Sequence, residues 1–210
     1  MTIDVDELGY LVSKFNGYNL ETMLVGGMAI SLYAAPVTTK DVDFALGIEG
    51  WDKIRGILNE IQREGEYTFN TVARIEDGKN LETKIYWVQH GDLIYQMDFI
   101  DIAKFSKRED FFEIIKERYS IKYPTRYGDI VVAKPSFVIF TRLSIPGEKW
   151  RRYIQKITDE AITAYQTKGI LFDFKEVVEI TKISGKPNLE QVKDRIEILR
   201  HNLTKRKLPY

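Results

Sequence analysis

The feature that most constrains this chain is a change of hydrophobic period near residue 134. Up to that point, short alternating segments interleave with amphipathic helical ones. From Pro135 onward nearly every apolar position falls at helical spacing. Such a chain reads as a sheet flanked by helices, followed by a helical part. We expect a mixed α/β (α+β) fold with an α/β unit at 1–134 and a helical C-terminal unit at 135–210. The 210 residues are enough to bury a sizeable core without staples.

In the first part, Val5, Leu8, Leu11, Val12 and Phe15 predict an opening helix that ends at Gly17. Thr22–Val25 is a short strand leading into Gly26-Gly27, and Met28–Ala34 is a helix closed by Pro36. Val42–Leu46 is a second strand, and Trp51, Ile54, Ile57, Leu58 and Ile61 mark another helix. Tyr67–Ile75, Thr83–Gln89 and Leu93–Ile100 read as strands. Asp77-Gly78 and Gly91-Asp92 separate them as hairpin turns, so this part of the sheet is antiparallel. Phe111, Phe112, Ile114 and Ile115 fall in a charged helix, and Asp129–Ala133 is a further strand. Four helices then follow, built around Phe137–Leu143, Trp150–Tyr165, Phe172–Ile183 and Leu189–Leu203, the last with a cap at Asn188.

Composition removes several chemistries. There is no cysteine, so disulfides, thiolate zinc sites, iron–sulfur clusters and cysteine nucleophiles are excluded together. Lys plus Arg equals Asp plus Glu at 31 each, which gives no global field for coating nucleic acid or an anionic membrane. No apolar run approaches the ~20 residues that span a bilayer. Met1–Glu7 is acidic and carries no signal-peptide pattern, so a cytoplasmic protein is expected.

The chemistry concentrates in Val25-Gly26-Gly27 and in Asp41-Val42-Asp43-Phe44. A strand that ends in two glycines before a helix lets backbone approach a ligand closely. The free N–H groups at that helix start then favour a phosphate. Asp41 and Asp43 are at i and i+2 of a strand, so both carboxylates share one face. Two such carboxylates repel unless a cation holds them, and oxygen-only ligands favour Mg²⁺ or Mn²⁺. A third carboxylate is expected from the strand Leu93–Ile100. Asp98 is the first choice and Asp101, just beyond, the substitute. A phosphate cradle beside a metal-binding carboxylate set suits phosphoryl or nucleotidyl transfer.

Gly-Gly after a hydrophobe, a thirteen-residue spacer and then Asp-hydrophobe-Asp-hydrophobe resembles the signature of the polymerase β-like nucleotidyltransferase superfamily. The small stand-alone prokaryotic and archaeal members, some of them toxins of toxin–antitoxin pairs, are the most similar. The resemblance covers residues ~22–101. It implies a mixed sheet flanked by helices, and transfer of a nucleoside monophosphate from an NTP to an RNA, protein or small-molecule acceptor. It implies two Mg²⁺ or Mn²⁺ ions on Asp41, Asp43 and Asp98. Gly26, Gly27, Thr39, Lys40 and Arg142 would contact the nucleotide phosphates, and an antitoxin is the implied protein partner. The chain departs from the pattern at Val37, where many small members carry an Arg. That departure frames the alternative, a non-catalytic nucleotide-binding or interaction module on the same fold.

Other residues read more plainly. His90 reads as part of a surface turn, and Trp51 staples a helix start into the core. Lys149, Arg151, Arg152 and Lys156, with Trp150 and Tyr153 interleaved, make a basic stretch that could hold an RNA or a triphosphate; the preferred reading is a solvated helix face with the aromatic residues turned inward. Lys205–Lys207 is a solvated tail, and the Leu189–Leu203 stripe is core packing.

Overall fold

The structure, a computed structural model, describes residues 3–34, 41–77 and 81–209. The opening helix α1 (Val5–Gly17) starts on Asp4, whose carboxylate accepts the Asp6 N–H, and buries Leu8, Leu11, Val12 and Phe15. Strand β1 (Met23–Val25) runs into helix α2 (Gly26–Tyr33) with no intervening loop. Strand β2 (Asp41–Leu46) and helix α3 (Ile48–Arg63) come next. The meander β3 (Tyr67–Asp77), β4 (Leu81–His90) and β5 (Leu93–Asp101) ends in a single 3₁₀ turn, Ile102–Phe105. Helix α4 (Phe111–Arg118) precedes the hairpin β6 (Ser120–Thr125) and β7 (Gly128–Ala133). Helices α5 (Pro135–Leu143), α6 (Arg151–Lys168), α7 (Phe174–Ser184) and α8 (Leu189–Lys205) complete the chain.

The strands form one mixed sheet in the order β3-β4-β5-β2-β1-β7-β6. The β2–β5 and β1–β7 pairs are parallel and the others antiparallel. The meander strands pair antiparallel as expected, with the second turn at Gly91-Asp92, while Gly78 of the first expected turn lies outside the described residues. Alternation gives the sheet two different faces. Val42, Phe44 and Leu46 of β2 and Tyr95, Met97 and Phe99 of β5 are buried, and Phe15 of α1 meets Phe44 and Phe99 edge-on. Asp41, Asp43, Gln96 and Asp98 lie on the opposite face, which the helical part overhangs.

That helical part joins the sheet through a continuous core. Phe105 and Phe111 meet Phe137 and Phe140 of α5, and Ser184 at the end of α7 donates to the Phe105 carbonyl at 2.8 Å. Helix α8 buries Val192, Ile196, Leu199 and Leu203 within the same core, with Asn188 capping its first turn as expected. Trp51 is buried in α3, and the Lys84 ammonium lies 3.9 Å from its ring centre.

Two departures from the sequence reading have clear causes. Helix α2 starts at Gly26, not Met28, because the left-handed Gly26 (φ +67°) turns the chain directly from strand to helix. Strand β6 was not anticipated, since Pro124 sits within it. It is the sheet's edge strand, where a missing N–H is tolerated.

Candidate functional site

Strand register brings the three expected carboxylates together. The parallel β2–β5 pair sets Asp43 opposite Asp98 and Asp41 opposite Gln96. Period-two alternation turns all four to one face. Asp41, Asp43 and Asp98 each offer a carboxylate oxygen, and these oxygens lie within 4.8 Å of one another. No other such group occurs among the described residues.

The glycine at the β1–α2 junction makes room for this cluster. Val25 pairs with Asp43, so the next residue passes over that carboxylate. A Cβ on Gly26 would stand 1.9 Å from Asp43 Oδ2. Positive φ and close approach therefore both demand glycine here.

The electrostatics are those of crowded carboxylates. Burial, then the charges of Asp41 and Asp98, push the Asp43 carboxyl up to about 7, against the pull of Arg142 and Lys156. Burial also raises Asp98, partly offset by Gln96 Nε2 donating to its Oδ1 at 2.9 Å. A divalent cation among these oxygens would relieve the repulsion and favour the ionised forms. The donor set, all oxygen, fits Mg²⁺ or Mn²⁺.

The cluster floors a cleft of about 380 Å³. Val25, Gly26 and Gly27 border it on one side, and Thr83, Ile85 and Ile100 on the other. Thr141 and Arg142 of α5, with Arg152, Tyr153 and Lys156 of α6, form the facing wall. Arg142 is buried and held by both carboxylate oxygens of Glu160, so its charge is already balanced. Lys156 and Arg152 are exposed, and Arg152 reaches the Tyr153 hydroxyl at 3.3 Å. Arg195 of α8 anchors the segment between these helices: its guanidinium donates to the Leu143 and Ile145 carbonyls and lies 4.7 Å from the Trp150 ring centre.

Other sequence expectations fall elsewhere. Asp101, the substitute third ligand, is buried and caps the 3₁₀ turn, accepting the Ala103 N–H at 3.0 Å. Its odd position on β5 turns it from the Asp98 face. Val37, Thr39 and Lys40 lie outside the described residues. His90 does sit at the β4–β5 turn, where its Nδ1 meets Glu7 at 2.8 Å and its ring stacks on Tyr67.

Neither protein-family models nor curated protein sequences match the chain. Solved structures do resemble it. An antigenic nucleotidyltransferase-like protein from Paracoccidioides brasiliensis aligns with 96% of this chain and 94% of its own, at 14% identity and a TM-score of 0.51. The fold is nucleotidyltransferase-like. Two further structures resemble it at lower scores. A Thermotoga maritima protein described as a candidate nucleotidyltransferase gives 0.49 at 14% identity, over 76% of this chain and 96% of its own. The antibiotic-resistance factor ANT(2'')-Ia gives 0.43 at 11% identity, over 95% and 92%.

On this nucleotidyltransferase-like fold the wall residues of α6 are ones for which the sequence offered two readings, a triphosphate- or RNA-holding patch and the preferred solvated face. Arg152, Tyr153 and Lys156 belong to the stretch read as a solvated face. Lys149 and Arg151 are exposed and Trp150 is buried, as that reading expects, but the other three border the cleft. Their spacing of one and four residues places them on one side of a helix, which is visible in the sequence. That this side faces Asp43 depends on how α6 packs.

Proposed function

We propose that the chain is a metal-dependent nucleotidyltransferase that moves a nucleoside monophosphate from an NTP to a hydroxyl or phosphate acceptor. One observation carries this reading: three carboxylates converge beneath a glycine turn that opens a helix. Asp41, Asp43 and Asp98 would hold two Mg²⁺ or Mn²⁺ ions, which supply charge stabilisation for the attacking and leaving oxygens. The Gly26 and Gly27 N–H groups, at the start of α2, would seat the phosphates. Lys156 and Arg152 would face the triphosphate from α6, with Arg142 fixed behind them by Glu160, and Thr39 and Lys40 would add contacts from the segment before β2. The acceptor oxygen forms its bond to the α-phosphorus as the bond to the β-phosphate oxygen breaks. Pyrophosphate leaves, and Asp98 would take the hydroxyl proton. From the resemblance to toxin-type members we carry forward an antitoxin as the proposed protein partner, and the cytoplasm as the proposed compartment. Among the described residues no helix is long and apolar enough to cross a membrane.

Thermal unfolding tests the reading. ATP, GTP, CTP and UTP are each added with and without Mg²⁺ or Mn²⁺, to the wild type and to an Asp41→Asn/Asp43→Asn double variant. At a nucleotide concentration 100-fold above its Kd, binding adds about 2.7 kcal/mol, a shift of several degrees. The expected result is a metal-dependent rise with at least one nucleotide that the double variant loses. A folded wild type that shifts with none of them refutes the assignment.

A further inference from the structure

The sheet face that bears the carboxylates continues past them, on the side away from Gly26. Following the register outward, Asp41 pairs with Gln96, Gln96 with Trp87, and Trp87 with Asn70. One step along the strands, Ile94 pairs with Gln89 and Gln89 with Thr68. Ile85, which borders the cleft, pairs with Asp98, and Trp87 lies two residues from Ile85 on the same face. Diagonal neighbours on a sheet face are about 7 Å apart, so Trp87 and Asp98 leave the same face at that spacing.

Trp87 is 45% exposed, while Trp51 and Trp150 are buried at 7% and 9%. Its diagonal neighbour Ile94 is 56% exposed. Nearly half of this tryptophan is open to solvent on a sheet face next to the cleft. Beyond Asp41, the six residues of these two rows are an indole, an aliphatic side chain, three amides and a hydroxyl, with no charge among those six.

We propose that Trp87 is the acceptor platform, stacking the terminal base of a single-stranded RNA so that its ribose hydroxyl lies at Asp98. The inference rests on the nucleotidyltransferase reading and names its acceptor. Sheet order separates the two substrates: the phosphate-seating turn follows β1 on one side of the carboxylates, and Trp87 on β4 stands on the other. In-line displacement needs that opposition of donor and attacking oxygen. The chemistry of the face selects the acceptor. Indole and amides suit a base plane and its hydrogen-bonding edge. Ile94 beside Trp87 offers a second apolar step for a following base, as a chain needs and a free nucleoside does not. In the reaction the terminal ribose oxygen bonds to the α-phosphorus of the NTP, pyrophosphate departs, and the hydroxyl proton passes to the Asp98 carboxylate.

The test measures RNA binding in Mg²⁺ with no NTP present, and so without turnover, and the NTP melting shift in Mg²⁺ separately. A 5′-fluorescein hexa-adenylate is titrated by anisotropy into wild type, Trp87→Phe and Trp87→Ala, and unlabelled hexa-adenylate is followed by tryptophan emission. We expect quenching of the solvent-exposed emission in the wild type, near-wild-type affinity for W87F and at least a ten-fold loss for W87A. All three proteins should melt alike and keep the NTP-dependent melting shift, because Trp87 is exposed and remote from the phosphate seat. If W87A binds the RNA as tightly as wild type, or the RNA does not bind while the NTP shift persists, the platform is refuted and the transferase reading stands. Adenosine quenching with the affinity of the hexamer would overturn RNA in favour of a free nucleoside. Absence of the NTP shift in wild type would instead remove the reading on which the platform rests.

Discussion

Asp43 carries the sharpest consequence at the scale of one residue. Its carboxyl is held at about 7 by burial and by its two acidic neighbours. In the unfolded chain it returns to an ordinary carboxylate value near 4. Between those two values the native state holds a proton that the unfolded state has released. Stability therefore falls as pH rises from about 4 to about 7 in metal-free protein, and stays low above. Asp43→Asn removes that slope. At pH 8 in EDTA the variant should be more stable than wild type by on the order of 3 kcal/mol, and at pH 4 the two should match. Urea titrations at pH 4, 6 and 8 decide it, and an Asn variant weaker than wild type at pH 8 contradicts the crowding argument. Added Mg²⁺ should reverse the order by stabilising wild type alone. Much of this site was legible in the residues themselves. Period two placed Asp41 and Asp43 on one face of their strand, and Asp98 was chosen with Asp101 as substitute; the β2–β5 register is what sets Asp98 beside Asp43 and leaves Asp101 on the other face. What could not be read was the distance from Gly26 to Asp43. The glycines signal close backbone approach, but the group approached is a protein carboxylate as well as any ligand.

At the scale of an element, α6 shows why charges were harder to place than strands. Arg142 offers a cation to the sequence reader. Its partner Glu160 lies eighteen residues on, across the α5–α6 turn, and only packing brings them together. Lys156 and Arg152 pose the reverse case, exposed charges that packing brings to the border of the cleft. Strand β6 was missed for a local reason: Pro124 argues against a strand unless the strand is known to be an edge, and edge position is a property of the whole sheet. The Arg142–Glu160 pair also makes a quantitative test of how α6 is held. Both groups are buried, so Glu160→Gln leaves an uncompensated guanidinium and should cost about 3–5 kcal/mol. An Arg142→Met/Glu160→Leu double variant restores apolar packing and should recover most of that loss. Chemical denaturation of the three proteins measures both differences. A Glu160→Gln cost below about 1 kcal/mol would mean the pair does not fix α6 over the cleft.

For the whole molecule, the change of period at residue 134 marks a change of architecture, and the question is whether it also marks an independent unit. The packing argues that the two parts depend on each other. Strand β7, the last of the first part, is joined directly to α5, and α5 brings Phe137 and Phe140 onto Phe111 and Phe105. Cutting at 134 would expose these rings on both pieces. It would also strip the cleft of its α5–α6 wall while leaving Asp41, Asp43 and Asp98 crowded on the sheet. Large aromatic side chains dominate core energetics, and a domain's net stability is only about 5–15 kcal/mol. Loss of a shared aromatic cluster on that scale is enough to unfold either piece. Fragments 1–134 and 135–210 should each lack a cooperative thermal transition and bind a hydrophobic dye, whereas the full chain should melt in one step by circular dichroism and calorimetry alike. Mixing the two fragments should restore part of the native signal, because the faces they expose are complementary. A cooperative transition in fragment 1–134 alone would instead make the sheet an autonomous unit, with the helical part a lid added to it.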